Sequence, residues 1–415
     1  MLHVAAALPQ SQHILNVCND RYRFTVSFAA CLVAGRTSLL PPSLTPEVIR
    51  QLGTFASDVA CITDDGDCAI DLPLLRYPQV QSSLVPWHRP QIAVDHVAAY
   101  LFTSGSTGTP LPYRKTWGRL ASCVREEARR FGLLDGRCHS IVGTVPSQHM
   151  FGFESTVLLP LQSGNALYAE RPFHPADICA LLAVAPRPRV LVSTPVHLRT
   201  LLAAGVALPV VDLVVSSTAP LSQDLAREVE AGFDTNLMEI YGSTETGQMA
   251  TRRTARTDVW QLCDGVTLTT VDDRTQAQGA HIEQPTPLGD LLELQDAQHF
   301  LLRGRSADLV NIAGKRSSLA HLNHQLLAVA GVVDGAFVLR EDEQGSSTGV
   351  SRVAAVVVAP TLTAAGLMGQ LRRRIDPIFL PRPLLFVDKL PRNDTGKLPH
   401  AALLDLVTRS MQRSE

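Results

Sequence analysis

Four short segments carry residue types able to hold anions, sugar hydroxyls or a metal ion. The first is Thr103-Ser104-Gly105-Ser106-Thr107-Gly108-Thr109-Pro110, which follows the apolar run 98–102. Glycine admits positive-φ turns, successive backbone N–H groups then form an anion nest, and the hydroxyls add donors. Such a loop suits a polyphosphate. No Gly-Lys-Ser/Thr follows at Walker spacing, and the same composition also makes an ordinary turn.

The second is Tyr241-Gly242-Ser243-Thr244-Glu245, placed after the strand-like 237–240. An aromatic ring packs on a purine face, a threonine hydroxyl donates to a phosphate, and a carboxylate holds Mg²⁺ beside it. A polar loop without a ligand reads the same way. The third pairs Gly289-Asp290 with Gly304-Arg305 across the hydrophobic stretch 291–302, which has the pattern of a β-hairpin. A carboxylate at a strand end accepts from two ribose hydroxyls, and an arginine adds a charge-assisted donor. Spacing alone favours a structural Asp–Arg pair. The fourth is Pro391-Arg392-Asn393-Asp394-Thr395-Gly396-Lys397, in a turn-rich setting. A lysine beside glycine on a mobile loop delivers a point charge to a reacting anion; an exposed surface lysine is the ordinary alternative.

These segments need a scaffold, and the chain has the bulk for one. It has 415 residues, 45% hydrophobic, with 37 basic and 39 acidic side chains for a net charge of -2. That balance argues against a nucleic-acid or membrane-surface protein. Arg372-Arg373-Arg374 is the compact basic run, read as a solvated helix face or as a docking point for an acidic partner. The cysteines Cys18, Cys31, Cys61, Cys68, Cys123, Cys138, Cys179 and Cys263 show no C-x-x-C spacing, which fits a reducing cytosol and a cytoplasmic protein. The start lacks the basic and apolar regions of a signal peptide, and no apolar run is long enough to span a bilayer. His321 and His324 form a helix-face pair with no third ligand, so no metal site is read there.

Short apolar runs at Val59–Thr63, 98–102, 141–145, 189–192 and 210–215 alternate with helical patterns at 22–34, 175–185 and 223–232. Gly35 stops the first helix. Such alternation predicts an α/β fold with a mostly parallel sheet flanked by helices. From Leu322 the pattern changes. Helices over 324–330 and 362–375 and strands over 335–340 and 353–358 predict a compact α+β module, with a boundary near 304–308.

Taken in order, the segments resemble the adenylate-forming superfamily of acyl- and aryl-CoA synthetases, peptide-synthetase adenylation domains and luciferases. Thr103 to Pro110 resembles its phosphate loop. Pro146-Ser147-Gln148-His149-Met150-Phe151-Gly152 resembles its P-x-x-H-x-x-G segment beside the acyl pocket. Ser217-Thr218-Ala219-Pro220-Leu221 resembles the adenine-side G-G-A-P-L segment, and Tyr241 to Glu245 the Y-G-x-T-E motif. Asp290 and Arg305 match the ribose Asp and the following Gly-Arg. The segment 311–316 resembles the glycine loop after the hinge, and 391–398 the P-R-N-x-x-G-K-L motif with its lysine. Leu111 stands where the phosphate loop has lysine, leaving Arg114 or Lys115 to supply charge. Ala307 stands at the hinge, with Asp308 adjacent. The N-terminal part of the pattern is shortened, and the segment between Glu245 and Asp290 is trimmed, which puts the small β-subdomain in question.

The resemblance implies a large N-terminal lobe over 1–305 and a small mobile α+β domain over 306–415 carrying the catalytic lysine. It implies ATP and Mg²⁺ as cofactors. Thr103, Ser104, Gly105, Ser106, Thr107 and Gly108 would cradle phosphates. Thr218, Ala219, Pro220, Tyr241, Gly242 and Ser243 would hold the adenosine, with Asp290 and Arg305 on the ribose side. Thr244, Glu245, His149 and Lys397 would serve catalysis, Glu245 as metal ligand. The compact size and Arg114-Lys115-Thr116-Trp117 resemble the stand-alone ligases of aryl-polyene and xanthomonadin-type pigment clusters. That narrower likeness implies an aryl acid loaded onto an acyl carrier protein, with coenzyme A as the other acceptor and a degenerate nucleotide-binding homologue without turnover as the alternative. Acyl-pocket candidates are His149, Phe151, Gly152, Phe153, Thr194, Pro195, Ser217, Tyr241 and Gly242. Phe153-Glu154-Ser155 only loosely echoes the aspartate that binds an amino group, so an amino acid is not expected.

Overall fold

The structure is a computed structural model that describes residues 1–79, 90–104, 110–271, 274–305, 309–312, 315–340, 352–393, 396 and 398–412. The chain forms two compact units, one of Met1–Pro287 with Ala297–His299, the other of Leu288–Asp296 with Phe300–Glu415.

Two sheets organise the first unit. Strands β1 (His13–Asn16), β2 (Thr37–Leu40), β3 (Val59–Thr63), β4 (Leu74–Arg76), β5 (Val97–Ser104) and β6 (Pro110–Thr116) assemble in the order β4-β3-β1-β2-β5-β6. All neighbours are parallel except β5 and β6, which form a hairpin. The second sheet contains β7 (Ser140–Gly143), β8 (Ala166–Leu167), β9 (Arg189–Ser193), β10 (Leu213–Ser216), β11 (Leu237–Ser243), β12 (Gly247–Arg252) and β13 (Val259–Leu262). Its order runs β8-β7-β9-β10-β11 in parallel, then antiparallel through β12 and β13. Strands β2, β3 and β7 are buried at every position, as strands covered on both faces must be. The alternation in the sequence therefore encodes two sheets.

Helix starts follow side-chain caps. Asp20 accepts from Arg23 N ahead of helix Arg21–Val33, and Ser222 accepts from Leu225 N ahead of Gln223–Phe233. Gly35 at φ +67° ends the first of these, as expected. The trimmed segment keeps a three-stranded antiparallel sheet of β14 (Val266–Val271), β15 (Arg274–Gly279) and β16 (Thr286–Pro287).

In the second unit, β17 (Asp290–Leu294) and β18 (His299–Arg305) form the expected hairpin, and β19 (Leu309–Ile312) pairs with β20 (Lys315–Ser318). Strands β21 (Asp334–Arg340), β22 (Arg352–Val358) and β23 (Leu384–Phe386) make a sheet whose two faces differ by strand alternation. Val353, Ala355 and Val357 pack with Leu322, Leu326, Leu367 and Leu371; Ala354 and Val356 pack with Leu403 and Val407. Two helices differ from expectation. The first spans Leu319–Leu327, because Ser318 caps His321 N; the second spans Ala364–Leu371, because Thr363 caps Gly366 N. Pro377 bars the second from continuing far.

Candidate active site

The C-terminal ends of β7, β9, β10 and β11 lie side by side on one parallel sheet. Thr144 to Gly152 leave the first, Thr194 the second, Ser217 and Thr218 the third, and Tyr241 closes the parallel part of the fourth. The crevice beyond strand C-termini is where parallel α/β sheets bind ligands. Ser217 Oγ donates to the Ile240 carbonyl at 3.0 Å, tying the third segment to the fourth.

Thr218 adopts φ +82°, a left-handed backbone that a β-branched residue tolerates poorly. The resemblance puts glycine at this position, so the geometry is retained against the side chain's preference. Gly152 and Gly242 are each required by a close backbone approach. A Cβ at Gly152 would run into the Pro146 carbonyl, and one at Gly242 into the Gly247 carbonyl. The latter contact explains a correction: Tyr241-Gly242-Ser243 is not loop but the end of β11, paired with β12 through a bulge between Tyr241 and Gly242. Thr244 and Glu245 occupy the turn between them. Ser243 N donates to Thr246 Oγ1 at 3.1 Å and Thr246 N to Ser243 Oγ at 3.3 Å, which closes that turn from both sides. The Tyr241 ring, half-buried, stands 5.5 Å from Trp260, over which the Arg252 guanidinium sits at 4.4 Å.

The 146–152 segment is anchored by a residue that sequence reasoning did not single out. Arg21 is 1% exposed, and burial pulls its guanidinium down to about 10. Its Nη2 donates to the Gly143 and Val145 carbonyls at 3.1 and 2.9 Å; its Nη1 donates to those of Tyr168 and Glu170. The chain leaving β7 toward Pro146 is thereby fixed. His149 stands before helix Met150–Gly152, and the helix continues as a π segment, Phe153–Leu158. Such wide turns recur at functional sites. Phe153 is fully buried edge-on against Phe28 at 4.9 Å, so this pocket candidate is core. Thr194 and Pro195 are buried also, at the start of helix Pro195–Ala203, where Thr144, Ser193 and His197 share hydrogen bonds of 2.9 and 3.0 Å. Burial lowers the His197 imidazole.

Beneath the Thr244–Glu245 turn lies a buried polar cluster. Lys115 is 4% exposed and its Nζ donates to the Glu245 carbonyl at 2.9 Å. Burial lowers its ammonium, against the opposing pull of Glu154. Glu154 Oε1 accepts from Cys123 Sγ at 3.2 Å. Burial raises the Glu154 carboxyl to about 7, with Lys115 and Cys123 holding it back, and raises Glu127 to about 8. Lys115 is therefore spent on this cluster, and Arg114 faces Glu283 at 3.6 Å.

Thr103 is half-buried, and Ser104, the last residue of β5, is opposite Pro110 in the β5–β6 hairpin. Gly105, Ser106, Thr107 and Gly108 lie outside the described residues, as do Ala307 and Asp308, the residues weighed for a hinge. Ala219 and Pro220 follow Thr218 in the same segment. In the second unit Asp290 is directly opposite Arg305 across the β17–β18 hairpin. Lys397 lies outside the described residues; its neighbour Gly396, at φ +75°, accepts from Arg392 Nη1 at its carbonyl at 2.8 Å. Among the described residues no three His, Cys, Asp or Glu side chains gather as a metal cage. The Glu245 carboxylate would suit an Mg²⁺ held mainly by nucleotide phosphates and water.

The AMP-binding enzyme family model matches residues 1–281. The chain belongs to the AMP-binding enzyme family. This AMP-binding enzyme is 32% identical over 302 residues to 4-coumarate–CoA ligase of Rhodobacter capsulatus, covering 71% of this chain and 73% of that one. It is 24% identical to the 3-hydroxybenzoate–CoA/4-hydroxybenzoate–CoA ligase of Thauera aromatica, over 77% and 68% of the two chains. In fold it resembles ATP-bound MatB of Rhodopseudomonas palustris, with TM-score 0.81 at 20% identity over 97% and 91% of the chains. The Bacillus subtilis o-succinylbenzoate CoA synthetase with its acyl-adenylate gives 0.80 at 17% identity, over 97% and 90%. This AMP-binding enzyme is an AMP-forming acid–thiol ligase of α/β fold, and no described helix is long and apolar enough to cross a membrane.

Proposed function

We propose that the chain activates an aryl acid, such as a hydroxybenzoate or hydroxycinnamate, as its acyl-adenylate and passes the acyl group to the phosphopantetheine thiol of an acyl carrier protein. The observation that carries this reading is the gathering of the Pro146, Ser217 and Tyr241 segments at adjacent parallel strand ends, with Glu245 in the turn beside them.

A carboxylate is a poor acyl donor because an oxide would have to leave. Its attack on the α-phosphorus of ATP forms an O–P bond, breaks the bond to pyrophosphate and yields a mixed anhydride whose leaving group is AMP. Two anions must meet, so the protein supplies positive charge and donors. Thr103, Ser104 and 105–109 cradle the β- and γ-phosphates, and Thr244 donates to the α-phosphate. Glu245 would hold Mg²⁺, which when bound neutralises phosphate charge. Asp290 and Arg305 fix the ribose, Tyr241 and 217–220 the adenine. Lys397, delivered by the 306–415 domain, bridges carboxylate and phosphate oxygens. His149 stands at the acyl side.

Glu154 supports a neutral acid. It is enclosed with Cys123 and Lys115, and so it is committed to the interior and not free to receive a substrate ammonium. The exposed Arg372, Arg373 and Arg374 suit an acidic carrier. The eight free cysteines suit a reducing cytoplasm. Free coenzyme A is the second reading, favoured by the names of the two relatives. Acid-dependent pyrophosphate exchange over a panel of aryl and fatty acids, followed by competition between holo-carrier protein and coenzyme A, separates them. Exchange only with fatty acids would overturn the aryl assignment, and thioester only on coenzyme A would overturn the carrier.

A further inference from the structure

The parallel strands β7, β9, β10 and β11 change chemistry at one row near their C-terminal ends. On the face covered by helices Pro195–Ala203 and Gln223–Phe233, Val142, Leu191, Val214 and Leu237 pack into a single apolar cluster. Side chains two positions further on share that face. They are Thr144, Ser193, Ser216 and Glu239, all buried, with Ser193 opposite Ser216 and Ser216 opposite Glu239. Glu239 accepts from Arg252 Nε at 2.7 Å and Thr254 Oγ1 at 2.6 Å. At the other end the row meets an imidazole. Thr144 Oγ1 lies 2.9 Å from Ser193 Oγ and 3.0 Å from His197 Nδ1. His197 N donates to Thr194 Oγ1 at 3.4 Å, which seats the imidazole in the first turn of its helix. The Phe173 ring meets the imidazole edge-on at 5.4 Å.

We propose that His197 is a positioning residue: through Thr144 it fixes the chain entering Pro146 against the end of β9, and so sets the acid side of the crevice. This rests on the reading of Pro146 to Gly152 as that side. A neutral imidazole carries one donor and one acceptor nitrogen, and a hydroxyl both donates and accepts. Ser193, Thr144 and His197 therefore complete one hydrogen-bonded chain in either tautomer. The other anchors of the segment act on main-chain atoms. Arg21 Nη2 takes the Gly143 and Val145 carbonyls, Thr144 N donates to the Val192 carbonyl at 3.0 Å, and His149 N to that of Pro146 at 3.3 Å. A Cβ on Gly143 would point at Arg21, and Thr144 faces the other way by alternation, so Arg21 and His197 grip the segment from opposite faces of the sheet. His197 acts through Thr144 and not on the acid itself.

The test compares the full-length parent with Thr144→Val, Thr144→Ser, His197→Leu and His197→Asn. Pyrophosphate exchange with a hydroxybenzoate or hydroxycinnamate gives KM separately for acid and ATP, and urea midpoints report folding. Thr144→Val keeps the shape and removes the hydroxyl. It is expected to raise KM for the acid roughly three- to tenfold, the worth of one hydrogen bond, while KM for ATP stays at the parental value. His197→Leu is expected to do the same. Thr144→Ser and His197→Asn restore a hydroxyl and an amide partner, and are expected to bring the acid KM back to within about twofold of the parent. If His197→Leu does not fold, the two Thr144 variants decide. A parental acid KM in Thr144→Val, equal rises for acid and ATP, or no recovery in Thr144→Ser overturns the positioning role and leaves the reading of the crevice in place. No exchange by the parent with any acid overturns that reading, and the role of His197 with it.

Discussion

Arg392 grips Asp334 with both arms, Nε to Oδ2 at 2.8 Å and Nη2 to Oδ1 at 2.7 Å, while its Nη1 holds the Gly396 carbonyl at 2.8 Å. A bidentate arginine fixes geometry as well as charge. The motif arginine therefore ties Gly396, whose N donates to the Asn393 carbonyl at 2.8 Å, to the first residue of β21. Arg392→Ala is expected to slow pyrophosphate exchange on the order of tenfold or more, with nucleotide affinity retained, because a loosened turn misplaces Lys397. Asp334→Asn should weaken the same grip, and the double variant should be no slower than Arg392→Ala. Additive losses measured by exchange kinetics would show that the two do not act as a unit.

Arg21→Met should destabilise the first unit by about 2–4 kcal/mol, because it removes the donor and leaves buried carbonyls at Gly143 and Val145 behind. Urea denaturation checks this. An unchanged midpoint would mean that those carbonyls find other donors.

Thr218→Gly should hold or raise the melting temperature, since relief of a left-handed threonine is worth on the order of 1 kcal/mol. Thr218→Val should lower it. Calorimetric scans of the two variants against the parent decide the sign.

Glu127 is fully buried and its carboxyl is raised to about 8 by burial, with Glu154 adding to the rise and Ser155 opposing it. A raised carboxylic acid favours the folded state at low pH, and that contribution is lost as pH rises through the folded value. Between about pH 6.5 and 8 the unfolded chain carries Glu127 ionised while the folded chain keeps it protonated. His281, lowered to about 4 by burial, works in the opposite sense but only below the ordinary histidine range. Stability should therefore fall with pH over that window by about 1 kcal/mol per unit, and Glu127→Gln should flatten the slope. Denaturation midpoints at pH 6.5 and 8 measure it.

The elements were legible where local chemistry sets them. Strand β3 and helix Pro175–Val184 follow from hydrophobic pattern and proline placement, and Gly35 marks a helix end by its positive φ. The candidate site was read as four motifs in order, because glycines, hydroxyls and carboxylates at fixed spacing leave a local signature. What stayed hidden depends on contacts distant in sequence. Lys115 and Glu245 are 130 positions apart, and Arg21 and Val145 are 124 apart. Nothing near Arg21 in sequence marks it as buried, since arginine is ordinarily a surface residue. The continuation of β11 through Ser243 was hidden for the same reason, because its partner strand β12 decides it. One signal was available: a lysine inside a covered strand needs a partner.

The central claim is that Lys397 supplies the cation at the reacting carboxylate and α-phosphate. Its direct test is acid-dependent ATP–pyrophosphate exchange with a hydroxybenzoate or hydroxycinnamate, in the parent and in Lys397→Ala, beside calorimetric ATP binding by both. The expected result is exchange by the parent, a loss on the order of 10²- to 10³-fold in the variant, and equal ATP affinity. Equal exchange rates in the two proteins, or ATP binding by the parent with no exchange for any acid, would contradict it.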